Sequence, residues 1–232
     1  ALDQIKAGAD ALDVNCGPAS RRPQEDIQWL VNAIQEVTDR PIAIDSSKPE
    51  VVESGLKVLK NRAIINSTTA DEEKLNTLVP LALKYNAKLI GLTISKKGIP
   101  QNKDQRLELA ATIVGFAQDA GLSTEDIYLD PIVMPVNVAQ AQMKDILEAL
   151  REFKIISDPA PKTVVGLSNV SQGTCQRSLV NRTFLIMAVA YGLDAAILDP
   201  LDKELVDSAI TSDLVLNKQI YCDSYLDAYR KK

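Results

Sequence analysis

The 232-residue sequence contains no histidine. Histidine is the commonest general acid-base and the commonest metal ligand in enzymes, so its absence excludes Ser-His and Cys-His nucleophile pairs and argues against a zinc centre. We therefore expect a site that works through carboxylates, amides and hydroxyl groups, with no metal bound by this chain.

Cysteine is also scarce. Cys16, Cys175 and Cys222 lie far apart, so they form no paired metal-ligand spacing and leave one thiol over in any disulfide scheme. No apolar run approaches the ~20 residues that a bilayer span needs, and the first ten residues do not resemble a signal peptide. These absences predict a cytoplasmic protein with reduced thiols and no membrane segment.

Neither charge sign dominates, since 26 Lys and Arg stand against 31 Asp and Glu. A net charge of −5 gives no electrostatic reason to expect nucleic acid or an anionic membrane as a partner. The sequence is 46% hydrophobic and has no linker, low-complexity tract or internal repeat. Such a chain can bury one sizeable core, and we predict a single domain over residues 1–232.

Seven short apolar runs alternate with longer segments of helical period, which is the pattern of parallel βα units. The runs cover residues 11–15, 41–45, 63–66, 88–93, 126–130, 163–168 and 194–198. Amphipathic helices are predicted at residues 25–37, 49–60, 73–86, 106–121, 141–154 and 182–192, and residues 201–232 are predicted to add further helix. The runs do not alternate strictly, which predicts strands covered on both faces.

This layout predicts an α/β fold of the (β/α)8 TIM-barrel type. The pattern begins on a helix and gives seven strands, one short of a closed barrel, so we expect the first strand to be missing from this chain. A doubly wound open sheet is the alternative. That fold normally carries a Gly-rich phosphate fingerprint after an early strand, and none is present here.

Polar residues end every predicted strand. They are Asn15, Asp45, Asn66, Thr93, Asp130, Ser168 with Asn169, and Asp199. Any one of them is explained by a turn or helix cap, and Asp45 and Asp130 are natural caps. Active sites of such barrels form at the carboxyl ends of the strands, where a ring of carboxylates and amides suits a flat heterocycle such as a pterin.

The loop in residues 164–184 is especially rich in polar groups. Ser168 and Asn169 are followed by Gln172, Cys175 and Arg177 before the next predicted helix begins. Loop polarity alone is weak support for a functional role. Arg177 is equally well explained as a salt bridge at the start of the helix.

Several segments together resemble the methyltetrahydrofolate:corrinoid/iron-sulfur protein methyltransferases, which are pterin-binding barrels. They are LDVNCGP, IDSS, INST, GLT followed by KKGIP, YLDP, DPAPKTVVGLSNVSQ, NRTFL and GLDAAILDP. The resemblance extends along essentially the whole chain, and LSNVSQ placed after YLDP is its most specific part.

This resemblance implies transfer of a methyl group from methyltetrahydrofolate, the substrate, to cobalt(I) of a corrinoid (cobalamin) supplied by a partner protein. The partner is a corrinoid/iron-sulfur protein or a small corrinoid protein, which leaves acetyl-CoA synthesis and demethylation both open as pathways. The resemblance also implies a homodimer. By position, the resemblance assigns pterin binding to Asp45, Asn66, Asp130, Ser168 and Gln172, and more loosely to Asn15. It places Arg177 near that site and Asn169 at the methyl-bearing nitrogen.

Three other functions compete with this interpretation. A dihydropteroate synthase-like enzyme needs cations for pyrophosphate, but Ser168 and Asn169 stand where its basic residue is expected. A sugar-phosphate barrel enzyme would bind phosphate after the last strand, where Asp199 and Asp202 repel it. A folate-binding protein without transfer activity is barely distinguished from the enzyme by sequence.

Overall fold

The structure, a computed structural model, describes residues 1–221. It contains seven parallel strands: β1 (Leu12–Val14), β2 (Ile42–Asp45), β3 (Ile64–Thr69), β4 (Lys88–Leu92), β5 (Ile127–Asp130), β6 (Lys162–Gly166) and β7 (Ala195–Ile197). All seven predicted strands are confirmed.

The described helices are α1 (Leu2–Lys6), α2 (Pro23–Gln35), α3 (Pro49–Leu56), α4 (Glu72–Lys84), α5 (Lys103–Asp119), α6 (Val136–Ala139), α7 (Met143–Phe153), α8 (Arg177–Ala190) and α9 (Lys203–Val215). The six amphipathic helices are thereby confirmed, although α3 ends four residues early. Helix α9 confirms the first part of the helix predicted over residues 201–232, whose last eleven residues lie outside the described part. No described helix is long and apolar enough to span a membrane.

Strand order decides between the two predicted folds. The strands lie in the order β1-β2-β3-β4-β5-β6-β7, so each pairs with its neighbours along the chain. A doubly wound sheet reverses direction at a switch point, which this order lacks, so the barrel prediction is confirmed and the open sheet was wrong. Within residues 1–221, β1 pairs only with β2 and β7 only with β6, which leaves a nearly closed barrel.

The core consists of two apolar clusters. The larger joins buried residues of β1 to β5 to helices α2 to α5 and to the second half of α7, with fully buried Ile44, Ile65 and Leu89 among its members. The second lies around β6, α7 and α8 and includes Val165 and Phe184. Burial of each such side chain contributes about 1.5–3 kcal/mol, so the strands are held by the helices packed over them.

Two strand ends differ from the prediction. Strand β3 runs past Asn66 to Thr69, and its register with β4 shifts between Asn66 and Thr68. Strand β6 ends at Gly166, and Leu167–Ser171 form a 3-10 turn. The apolar runs had predicted that Asn66 and Ser168 are the last residues of their strands, and this prediction was wrong.

Candidate functional site

The carboxyl ends of the strands meet at one mouth of the barrel because all seven strands are parallel. Neighbouring ends are in register there: Asp45 is the Cα partner of Asn66, and Asp130 is the Cα partner of Leu92. The structure therefore brings polar residues predicted from separate parts of the chain to the same face.

On the side of β1 to β3, the mouth holds two pairs in which an amide donates to a carboxylate. Asn15 Nδ2 donates to Asp45 Oδ2 at 2.9 Å, and Asn66 Nδ2 donates to Asp13 Oδ1 at 3.1 Å. Asn15 Oδ1 accepts the Gly17 N–H at 2.5 Å, which fixes its amide group. Each pair orients one amide, and the carboxylate of each pair keeps a second oxygen that can accept a hydrogen bond.

Asp13 is a mouth residue that the sequence prediction missed. It lies inside β1 between the buried Leu12 and Val14, so its side chain points to the opposite face from theirs. Partial desolvation raises the pKa of Asp13; the Asn66 amide lowers it and the nearby charge of Asp45 raises it. The buried-exposed-buried pattern of Leu12, Asp13 and Val14 was the available signal.

Asp130 is the buried carboxyl group of the mouth. It ends β5 with 9% of its surface exposed, and its Oδ1 accepts the Ile132 N–H at 2.7 Å. Burial raises the pKa of Asp130 to about 6, although hydrogen bonds from the Ile132 and Gly166 N–H groups act to lower it. Asp130 therefore changes its ionisation state close to neutral pH.

Gly166 joins Asp130 to Asn169. The Gly166 N–H donates to Asp130, while a Cβ placed on Gly166 would lie only 3.0 Å from Asn169 Nδ2. The absence of a side chain at Gly166 thus lets the Asn169 amide lie directly against the end of β6. Asn169 is exposed, and its side chain makes no hydrogen bond to the rest of residues 1–221. Gly166 consequently contacts both the Asp130 carboxyl group and the Asn169 amide, which is free to donate.

Hydrogen bonds of Ser171 and Arg177 stabilise the turn that carries Asn169. The Ser171 hydroxyl, which is buried, donates to the Ser168 carbonyl at 3.2 Å and accepts from Arg177 Nε at 3.2 Å. Arg177 begins α8 and forms no ion pair within the described residues, so the salt-bridge alternative was wrong. Ser168 and Gln172 are exposed on the same turn as Asn169.

Comparison with known proteins identifies the family. Residues 1–199 match the family described as pterin binding enzyme. The chain is a pterin binding enzyme.

Two curated relatives resemble this pterin binding enzyme. It is 29% identical to the methylcorrinoid:tetrahydrofolate methyltransferase of Eubacterium limosum, over 100% of this chain and 86% of that protein. It is 28% identical to the methionine synthase of Mycobacterium leprae, over 85% of this chain but only 17% of that much longer protein.

Solved structures confirm the barrel fold of this pterin binding enzyme. The Yersinia pestis dihydropteroate synthase with a pterine-sulfa conjugate has a TM-score of 0.72 and 15% identity, covering 93% of this chain and 86% of that one. A Coxiella burnetii dihydropteroate synthase in complex with pteroic acid has a TM-score of 0.71 and 15% identity, covering 94% and 84%. Identity this low shows the fold alone.

Two residues predicted at strand ends take structural roles in this pterin binding enzyme. Thr93 is fully buried and its hydroxyl donates to the Asp130 carbonyl at 2.9 Å, which ties β4 to β5. Asp199 accepts the Leu201 N–H at 3.0 Å in a turn, and Asp202 caps α9. The turn interpretation is therefore confirmed for Asp199, and the mouth loses two of its predicted members.

The helix-cap alternative was wrong for the two aspartates that it concerned. Helix α3, which follows Asp45, begins at Pro49 with Lys48 as its N-cap. Helix α6, which follows Asp130, has Pro135 as its N-cap. Asp45 binds the Asn15 amide instead, whereas Asp130 binds backbone N–H groups of its own turn and of β6.

Proposed function

We propose that this pterin binding enzyme is a methyltransferase that moves a methyl group between the nitrogen of 5-methyltetrahydrofolate and the cobalt of a corrinoid held by a partner protein. The observation that carries the proposal is the meeting of the Asp130 carboxyl and the Asn169 amide at Gly166. One group suits the N–H edge of a pterin, and the other suits a nitrogen that must accept a hydrogen bond.

In this proposal the pterin is held by acceptors on one edge and amides on the other. An ionised carboxylate accepts the adjacent amino and ring N–H groups of an aminopyrimidinone, as Asp130 or Asp45 can. Asp13 fixes the Asn66 amide nitrogen, so the Asn66 oxygen is directed to accept from the ligand. The remaining contacts are assigned to three exposed residues and one at the start of a helix: Asn15, Ser168, Gln172 and Arg177.

Asn169 assists the departure of the nitrogen. A tertiary amine is a poor leaving group, so its bond to the methyl carbon breaks readily only when the nitrogen is protonated or strongly hydrogen-bonded. The Asn169 amide makes no hydrogen bond within residues 1–221 and is free to donate. Such a donor, strengthened in the transition state, contributes about 3–4 kcal/mol to lowering the barrier.

The proton itself must come from another group because an amide does not release one near neutral pH. Asp130 is needed in its ionised form to accept the pterin N–H groups, so it is not that donor. We assign delivery of the proton to water at the nitrogen beside Asn169. The corrinoid supplies the nucleophile, and this chain supplies position and hydrogen bonding.

The same residues serve transfer in either direction. The name of the Eubacterium limosum relative states transfer from a methylcorrinoid to tetrahydrofolate. By microscopic reversibility, a group that protonates the departing nitrogen in one direction deprotonates the attacking nitrogen in the other. We propose folate to cobalt as the forward reaction, with a homodimer as the working unit and a corrinoid/iron-sulfur or small corrinoid protein as the partner.

The charge of the mouth separates this function from two alternatives. A dihydropteroate synthase needs a cation for its pyrophosphate, and the uncharged Ser168 and Asn169 stand after β6 where its basic residue is expected. A sugar phosphate is disfavoured after β7 because Asp202 already occupies the N-terminus of α9.

A spectroscopic assay tests the proposal. The protein is mixed with 5-methyltetrahydrofolate and cob(I)alamin, or with methylcobalamin and tetrahydrofolate, and the cobalt spectrum is followed. Asn169→Ala is expected to slow transfer by about 10²–10³-fold with a smaller loss of folate affinity. Asn61→Ala is the matched control because Asn61 lies before β3, at the opposite end of the barrel, and is exposed.

The outcomes discriminate between the candidate functions. Folate binding without any spectral change in either direction would leave a binding protein and overturn the enzyme proposal. An unchanged rate in Asn169→Ala would remove Asn169 from the mechanism.

A further inference from the structure

Arg106, in the first turn of α5, has a side chain with no exposed surface. Its guanidinium donates three hydrogen bonds to oxygens of three residues that lie in two loops. Nε donates to the Pro131 carbonyl at 2.8 Å, Nη1 to the Asn102 carbonyl at 3.0 Å and Nη2 to Gln142 Oε1 at 2.9 Å. The planar fork of an arginine suits such a three-way junction, and no other side chain carries donors in this arrangement.

All three acceptors of Arg106 are uncharged. No carboxylate lies within ion-pair distance of the guanidinium in residues 1–221, and burial lowers the pKa of Arg106 while the charge of Asp145 raises it. A buried cation costs free energy unless its hydrogen bonds are satisfied, so this arrangement stabilises the two loops at the expense of a desolvated charge.

The segments joined by Arg106 are the two loops that follow β4 and β5 at the mouth. Asn102 ends the β4 loop, Pro131 begins the β5 loop, and Gln142 ends the β5 loop just before α7. A further hydrogen bond, from Gln142 Nε2 to Gln101 Oε1 at 3.2 Å, ties the same loops together at the surface. Arg106 is thus the buried link between them.

Pro131 is the middle residue of the turn that sets the Asp130 carboxyl group. In this turn the Ile132 N–H donates to Asp130 Oδ1 at 2.7 Å, and Ile132 has a φ of 64°. That left-handed conformation is unfavourable for a β-branched residue, so the turn needs support from outside itself. The hydrogen bond from Arg106 to the Pro131 carbonyl is such support.

We propose that Arg106 is a positioning residue for the pterin: through the Pro131 carbonyl it fixes the Asp130–Ile132 turn and so aims the Asp130 carboxyl group into the mouth. This inference rests on the proposed function for the identity of the ligand. Arg106 has no exposed surface, so it acts on the mouth through the Pro131 carbonyl and not by direct contact with a ligand.

Amide hydrogen exchange tests the structural half of the inference without any ligand. In Arg106→Met, the Ile132 amide is expected to exchange about tenfold faster relative to the Leu129 amide inside β5, which is about 1.4 kcal/mol of lost protection. Val114→Ala is the matched control, since Val114 is buried on the same helix. Gln142→Ala, which removes only one acceptor, is expected to give a smaller effect in the same direction and keeps the test valid should Arg106→Met fail to fold.

Binding of 5-methyltetrahydrofolate tests the functional half. Folded Arg106→Met is expected to bind about tenfold more weakly, and its loss should largely vanish in an Asp130→Asn background because the two residues act through one contact. An unchanged Ile132 exchange ratio, or losses that simply add, would overturn the positioning role. A wild-type protein that fails to bind the folate would instead overturn the proposed function, while the exchange ratio still decides whether Arg106 fixes the turn.

Discussion

Burial makes Asp130 a much weaker acid than a solvated aspartate. Its ordinary pKa of 3.8 rises to about 6 because desolvation outweighs the two backbone N–H groups that favour the carboxylate. Ile132 and Gly166 supply those donors, and neither brings a positive charge. The ionisation of Asp130 should therefore make ligand binding at the candidate site depend on pH near 6.

Folate affinity is expected to depend on the Asp130 carboxylate. A ligand that offers two N–H donors needs the ionised form, which is lost as the pH falls through about 6. Affinity for 5-methyltetrahydrofolate should fall about tenfold for each pH unit below that value. Calorimetric titrations between pH 5 and 8 would measure this dependence, and a flat profile in the wild type would contradict it.

Asp130→Asn is the control for this measurement. With rising pH, the stability of the wild type should fall, whereas its affinity for folate should rise. The variant should bind folate more weakly at pH 8 and lose the dependence near pH 6. Because the folded protein raises this pKa, the contribution of Asp130 to stability is present below pH 3.8 and lost as the pH rises through 6. Relative to Asp130→Asn, the wild type should lose about 2–3 kcal/mol of unfolding free energy between pH 4 and 7, measured by urea denaturation.

At the scale of helices and strands, the position of an element could be predicted from the sequence wherever burial determines its pattern of apolar residues. Strand β2 is predictable because Ile42, Ala43 and Ile44 are all buried and a polar Asp45 follows. The end of β6 was not predictable, because the apolar Leu167 continues the run although it belongs to a 3-10 turn. Composition does not distinguish a buried turn from a buried strand residue.

The positions of the candidate site residues at the mouth could be predicted to the same extent. Asp45 and Asp130 were predictable because they end apolar runs. Asp13 was missed because β1 has only three residues, too few for alternation to stand out. The role of Gly166 was inaccessible to sequence, because it depends on how closely the Asn169 amide approaches the strand.

Gly166→Ala should displace the loop after β6. The added methyl group would lie 3.0 Å from Asn169 Nδ2, so the amide must move by a few tenths of an ångström. Since catalysis depends on placement at that scale, we expect methyl transfer to slow about tenfold or more. Stopped-flow measurement of the transfer rate would show this.

Gly115→Ala is the matched control for that substitution. Gly115 lies in α5, where a Cβ would meet nothing within 4 Å. Exchange of a helical glycine for alanine, where the added methyl group has open space, stabilises a helix by up to about 1 kcal/mol, so this variant should retain full activity. Equal rates in the two variants would show that the space at Gly166 does not matter for transfer.

Across the whole molecule, the mouth spans both apolar clusters. Asp130 ends β5, which packs in the larger cluster, whereas Asn169 follows β6, which packs in the second. A ligand held between these two residues therefore links the two parts of the core. Its binding should stabilise the molecule as a unit.

Folate should accordingly raise the melting temperature. At a concentration one hundred times the dissociation constant, binding contributes about 2.7 kcal/mol to stability. For a chain of this size, that corresponds to a rise of about 5–10 °C. Differential scanning calorimetry with and without 5-methyltetrahydrofolate would measure it, and Asp130→Asn at the same folate concentration should show a smaller rise.

The sequential strand order also governs how a growing polypeptide acquires its activity. Each strand pairs with the one synthesised just before it, so βα units can join the sheet one at a time as the ribosome releases them. The residues of the mouth are spread from Asp13 to Arg177, however, so the site is complete only after most of the chain has emerged. The first strands of a nascent chain can therefore pair well before the chain is able to bind a ligand, so formation of the sheet begins ahead of the function that it carries.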